Sequence, residues 1–153
     1  MSTTDFPPKS ILVPFDFSEH SKHALAYAGS LAEAHGAEVW LLHVGPSTPA
    51  ISGPLPDVTA AQAKVWTELL AERETALVKE LTKVAGDWTE RLTLHQAWRS
   101  GEPSNAIMEF ADEKDIELVV MGSHGRTGVK RALLGSVAER TVRLCQRPVL
   151  VVR

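Results

Sequence analysis

Five short apolar runs alternate with four stretches of helical periodicity along the chain. Ser10-Ile11-Leu12-Val13-Pro14-Phe15 reads as a buried strand, because a short β-branched run bounded by breakers suits a strand covered on both faces. Asp16-Phe17-Ser18 follows as a turn. Ser18 is expected to cap a helix, with Glu19 in the first turn where the helix dipole favours a negative charge. Leu25, Ala28, Leu31 and Ala32 then recur at helical spacing up to a stop at His35-Gly36. Val39-Trp40-Leu41-Leu42-His43-Val44 reads as a second strand. Residues 45–59 carry Pro46, Pro49, Pro54 and Pro56 and form a long loop for a compact domain, hence a mobile or a functional one. The next helix is expected over 60–85, with Trp66, Leu70, Leu77, Leu81 and Val84 on its core stripe and Gly86 at its end.

Leu92, Leu94 and Gln96-Ala97-Trp98 suggest a third strand, less cleanly patterned. Ser100-Gly101-Glu102-Pro103 opens a helix, since proline is tolerated in the first turn. Ile107, Phe110 and Ala111 form its stripe. Glu117 to Met121 reads as a fourth strand. Val137, Ala138, Thr141, Val142 and Cys145 line a last helix, and Pro148 to Val152 a fifth strand. Strands alternating with helices imply parallel βαβ units with right-handed crossovers and helices on both faces. The expected fold is an open doubly wound α/β sandwich: one domain over 10–153 behind a tail at 1–9. The pattern leaves the strand order open.

Composition removes several classes of function. A 44% hydrophobic chain with a net charge of −3 is a folding sequence rather than a disordered one. No apolar run approaches the roughly 20 residues of a membrane-spanning helix. Sixteen Lys and Arg against nineteen Asp and Glu argue against a general nucleic-acid binder. The one cysteine, Cys145, has no partner for an internal disulfide and sits on an apolar stripe, as a small core residue does. The N-terminal residues lack a basic start followed by an apolar stretch, so a cytoplasmic location is expected.

The candidate chemistry lies in Gly122-Ser123-His124-Gly125-Arg126-Thr127-Gly128-Val129-Lys130-Arg131-Ala132-Leu133-Leu134-Gly135-Ser136. This segment starts at the carboxyl end of a predicted strand, where open α/β sheets bind ligands. Its glycines give left-handed conformations and room for close approach. Successive N–H groups there can form an anion site. Gly135-Ser136 is expected to start the last helix, aiming free N–H groups and a positive dipole at a phosphate. The P-loop pattern and G-x-G-x-x-G are both absent. The alternative is a plain Gly-rich surface turn, and the physics leaves the two open. Asp16 either caps a turn or contacts a ligand; its place beside this loop favours the ligand. Arg126, Lys130 and Arg131 are candidates to neutralise phosphates, with solvated side chains as the alternative. His124 reads as a loop-positioning residue. His20 and His23 have metal-like spacing but no evident third ligand, so no metal site is assigned.

The spacing Gly122-x2-Gly125-x9-Gly135-Ser136 resembles the nucleotide-binding signature of the universal stress protein family. The run Ile11 to Ser18, Leu41-Leu42-His43-Val44, Val119 to Gly125 and Arg147 to Val152 are similar to that family's landmarks in type and order. The resemblance implies a flavodoxin-like sandwich, also described as adenine nucleotide alpha hydrolase-like, with strand order 3-2-1-4-5. It implies ATP, with Mg²⁺ or Mn²⁺ on its phosphates, between strands 1 and 4, as in the ATP-binding branch. Asp16 would lie at the adenosine end. Pro14 and Val44 would line the adenine and ribose pocket, beside Met121. Gly122 would sit near the ribose and phosphates. Gly125, Gly135, Ser136 and the Val137 backbone would cradle the phosphates, with Arg126 close by.

If the fifth strand lies at the sheet edge, Val149 to Val152 expose an apolar edge with no blocking charge until Arg153, and such edges tend to be paired or covered. A homodimer through this strand is expected, as the family commonly forms; cover by the N-terminal tail is the alternative. No carboxylate-plus-lysine set like that of efficient phosphoryl-transfer enzymes is seen, so turnover is expected to be slow or absent. The expected function is an ATP-binding stress-response regulatory protein with an unidentified protein partner. The rivals are a slow ATPase or self-phosphorylating protein, with Ser123, Thr127 or Ser136 as acceptor, and a nucleotide-independent dimeric scaffold.

Overall fold

The computed structural model describes residues 6–46, 59–125 and 134–153. In chain order the elements are β1 (Ser10–Pro14), α1 (Glu19–His35), β2 (Glu38–Gly45), α2 (Ala60–Thr89), β3 (Leu94–Ser100), α3 (Pro103–Glu113), β4 (Leu118–Gly122), α4 (Ser136–Leu144) and β5 (Val149–Val152). The strands form one parallel sheet in the order β3-β2-β1-β4-β5. Both the alternation read from the sequence and the order implied by the resemblance are observed.

β1 is central, and its residues explain why. Ile11, Leu12 and Val13 are fully buried. Successive side chains on a strand point to opposite faces. Ile11 and Val13 accordingly join the cluster under α1 and the end of α2, with Leu25, Ala28, Leu81 and Ala85. Leu12 joins the opposite cluster, with Ile107, Phe110 and Ala111 of α3. At the start of α1, the Ser18 hydroxyl accepts the Ser21 N–H at 3.2 Å. The helix stops at Gly36, whose φ of 69° is a left-handed conformation that glycine adopts without penalty.

Three expectations are corrected. α2 does not stop at Gly86 but runs on to Thr89. Trp88 lies so close over Gly29 of α1 that a Cβ there would be 2.4 Å from its ring. Packing Trp88 against α1 offsets the roughly 1 kcal/mol that an interior glycine costs. Trp66 and Leu70 are not core residues: they are 59% and 38% exposed, and every residue from Lys64 to Ala76 is exposed. The apolar stripe of α2 is buried only at Leu81 and Ala85, because the helix is longer than the sheet face it covers. Val142 of α4, expected on the core stripe, is 46% exposed, whereas Ala138 and Thr141 of the same helix are buried.

α3 has an acidic cap. The Glu102 carboxylate accepts the Ser104 hydroxyl at 2.6 Å and the Asn105 N–H at 2.9 Å. The Ser104 hydroxyl and then the backbone N–H groups of Asn105 and Ser104 hold its carboxyl below the usual glutamate range, with Arg140 adding to the effect. A lowered pKa means stability that is full above the ordinary glutamate range and is lost as pH falls through the folded value. Replacing Glu102 by alanine should cost about 1 kcal/mol at neutral pH, as cap losses do. Urea melts between neutral pH and pH ~3 should show that difference shrinking in acid; a constant difference would refute the cap as its cause.

Candidate functional site

The sheet order makes β1 the point where the chain reverses direction. From β1 it winds outward through β2 to β3, then returns to β4 on the other side. Crevices at the carboxyl ends of such a strand pair are where open α/β sheets hold ligands. A cavity of about 540 Å³ lies there, within the range that takes a small organic ligand. Pro14 enters it from β1 and Asp16 from the turn after it, Val44 from β2, and Met121 and Gly122 from β4. Gly125, Gly135, Ser136 and Val137 close the other end. All the predicted site residues are thus brought to one cavity except Arg126. It lies outside the described residues, as do Thr127, Lys130, Arg131 and most of the Pro-rich loop.

The start of α4 gives the cavity its polarity. Gly135 caps the helix with φ −69° and ψ 155° and, as a glycine, offers no side-chain cap hydrogen bond. Its N–H donates to the Ser123 carbonyl at 2.7 Å, and the Glu139 N–H closes the first turn on the Gly135 carbonyl at 2.8 Å. A helix leaves its first N–H groups without acceptors inside the helix. Here these are the N–H groups of Ser136, Val137 and Ala138, and all three residues line the cavity. Free donors at the positive end of a helix favour an anion.

Asp16 makes the turn that the sequence suggested, and it also lines the cavity. Its Oδ1 accepts the Ser18 N–H at 3.0 Å, which makes the turn after β1. Its Oδ2 lies 2.8 Å from where a Gly125 Cβ would stand, so the carboxylate reaches across the crevice to the opposite loop. Phe17, between these residues, has a φ of 66°. Its ring packs against Phe15 and His43, both at 5.1 Å, which holds a backbone conformation that costs an L-residue about 1 kcal/mol.

Gly122 has a structural reason of its own. A Cβ there would lie 2.7 Å from both the carbonyl carbon and the Cβ of His20 in α1. The glycine lets the first turn of α1 press onto the end of β4. His20, singled out in the sequence only for its metal-like spacing to His23, is a neighbour of the site. Its ring stands 5.3 Å from that of His124, and the Ser123 hydroxyl lies between them. Pro103 and Ile107 of α3 form a further wall that the linear pattern did not mark.

The match to known proteins spans nearly the whole chain. A family model described as the universal stress protein family matches residues 8–153. Universal stress protein MJ0531 of Methanocaldococcus jannaschii is 37% identical over 145 residues, covering 95% of this chain and 82% of the relative. The solved universal stress protein UspA from Lactobacillus plantarum superposes with a TM-score of 0.78 at 25% identity, covering 95% of this chain and 97% of that one. Two structures share the fold at lower identity. One is a universal stress protein in complex with cAMP (TM-score 0.64, 23% identity, covering 95% of this chain and 97% of that one). The other is that from Archaeoglobus fulgidus in complex with dAMP (TM-score 0.62, 20% identity, covering 94% of this chain and 97% of that one). With its parallel sheet, its crevice between β1 and β4 and this match over almost its full length, the chain belongs to the universal stress protein family.

Proposed function

We propose that this protein binds ATP, carrying Mg²⁺ or Mn²⁺, in the crevice between β1 and β4, and uses it to regulate a homodimer's interactions in a cytoplasmic stress response. The observation that carries the reading is the uncapped start of α4, three of whose first-turn residues face a cavity of ligand size. Pro14, Val44 and Met121 supply apolar walls suited to a base and sugar. Gly125, Gly135, Ser136 and the N–H of Val137 suit phosphates, with Arg126 as a further cation. Proteins of the same fold were solved with cAMP and dAMP, so an adenine nucleotide is a ligand this fold accommodates. ATP acts by binding one arrangement of the loop better than another, which shifts the population a partner meets. No helix among the described residues is long and apolar enough to cross a membrane.

The test is a thermal melt of the nucleotide-stripped protein with and without ATP and Mg²⁺. At ligand 100-fold above Kd the native state should gain about 2.7 kcal/mol, a rise in Tm of roughly 5–10 °C for a domain of this size. An unchanged Tm at millimolar ATP would reject the reading. The dimer is carried by β5, which lies at the sheet edge with Leu150 36% exposed. A lysine on such an edge blocks strand pairing. Sedimentation should therefore give twice the chain mass for the wild type and the single mass for Leu150→Lys. Equal masses would remove β5 as the interface.

A further inference from the structure

We propose that Ser123 is a positioning residue that holds the phosphate end of the cavity in shape, with His20 and His124 acting through it. The inference rests on the nucleotide reading above and deepens it. Ser123 follows β4 and is 1% exposed. Its N–H donates to the Val152 carbonyl of β5 at 2.8 Å, and its own carbonyl accepts the Gly135 N–H at 2.7 Å. Its hydroxyl lies 3.0 Å from Nδ1 of His124 and 3.4 Å from Nδ1 of His20. One buried residue therefore joins the end of β5, the cap of α4, the first turn of α1 and the loop that carries Gly125.

The chemistry of the cluster is restrictive. A serine hydroxyl carries a single proton. For both imidazoles to bond it, at most one can accept from Oγ–H, so at least one must donate its own Nδ1–H to the oxygen. The hydroxyl thus holds at least one ring in the Nδ1–H tautomer, and a fixed tautomer fixes what the other ring nitrogen offers. α1 has no slack in this arrangement, because Gly122 already lets His20 approach as closely as a residue can. The Ser123 carbonyl in turn places Gly135, and Gly135 places the three donors that follow it. Val44 and Ile107, which line the cavity from β2 and α3, take no part in these hydrogen bonds. Loss of the hydroxyl should therefore loosen the phosphate end and leave the base end intact.

Calorimetry with ATP plus Mg²⁺ and, separately, with adenosine reads the two ends apart. Ser123→Ala should weaken ATP about tenfold, in line with two lost hydrogen bonds, and adenosine by less than twofold. His20→Ala removes the longer contact on a partly exposed side chain and should shift ATP in the same sense by a smaller factor, should Ser123→Ala fold poorly. Nitrogen NMR near pH ~8, where ordinary imidazoles are neutral, should show at least one of His20 and His124 with its proton on Nδ1 in the wild type, and that preference lost in Ser123→Ala. Equal losses for both ligands, no loss for either, or a wild type with both rings protonated on Nε2 would overturn the proposal. A wild type that binds neither ligand would defeat the nucleotide reading instead, and the imidazole signals would still judge the cluster.

Discussion

Replacing Gly122 by valine is expected to disturb the fold before any ligand is added. The first new atom, Cβ, would lie 2.7 Å from the His20 carbonyl carbon and 2.9 Å from its oxygen. These are backbone atoms, so no rotamer change relieves the clash. α1 would have to lift away from β4, yet Ser21, Ala24, Leu25 and Ala28 anchor it in the core. Overpacking of this kind costs about 1–3 kcal/mol. Valine's two further methyl groups place the expected cost near the top of that range, a fall in Tm of roughly 6–12 °C. Thermal and urea melts of the variant without nucleotide check this; stability within about 0.5 kcal/mol of the wild type would contradict the packing account. The consequence for function is direct. Loss of ATP binding in a Gly122 variant reports on α1 and β4, so it is no test of phosphate contact.

Ser136→Pro is expected to do the reverse, keeping the fold and removing the ligand. Ser136 is the first residue of α4. Proline is accepted at that position because its fixed φ suits a helix start and its missing N–H has no partner in the helix. The preceding residue must be extended, and Gly135 already has a ψ of 155°. The substitution nevertheless deletes both an N–H and a hydroxyl from the cavity wall. A hydrogen bond to a charged group is worth about 1.5–3 kcal/mol, which corresponds to a loss in ATP affinity of roughly 10- to 150-fold. Adenosine, which lacks phosphates, should bind the variant and the wild type alike. A matched loss of both ligands would mean that the start of α4 serves the whole pocket rather than the phosphates.

How much of this was legible in the sequence depended on whether local pattern decided the outcome. β1 was readable because Ile11, Leu12 and Val13 are buried on both faces, and a continuous apolar run has few alternatives. The caps at Ser18 and Gly36 are local devices and stood where the pattern put them. The strand order did not follow from periodicity; it came with the Gly122, Gly125 and Gly135 spacing and its resemblance to a family. α2 was misread where tertiary context decided. Trp66 and Leu70 continue the stripe of Leu81, but there is no sheet beneath them, and spacing along a helix does not tell where the sheet ends. Gly86 looked like a stop because the contact that overrides it, Trp88 on Gly29, joins two helices far apart in the chain. The cavity residues were legible as a motif, whereas His20 was not. Its role arises from the 5.3 Å approach of two rings more than a hundred residues apart in sequence, and the one local signal, its spacing to His23, pointed to a metal instead.

The central claim is that the start of α4 holds the phosphates of an adenine nucleotide. Isothermal titration of ATP with Mg²⁺ into nucleotide-stripped wild type and Ser136→Pro, both shown folded by melting, tests it most directly. The account predicts saturable binding to the wild type and at least about tenfold weaker binding to the variant. No heat of binding to the folded wild type at millimolar ATP, or the same affinity in both proteins, would contradict it.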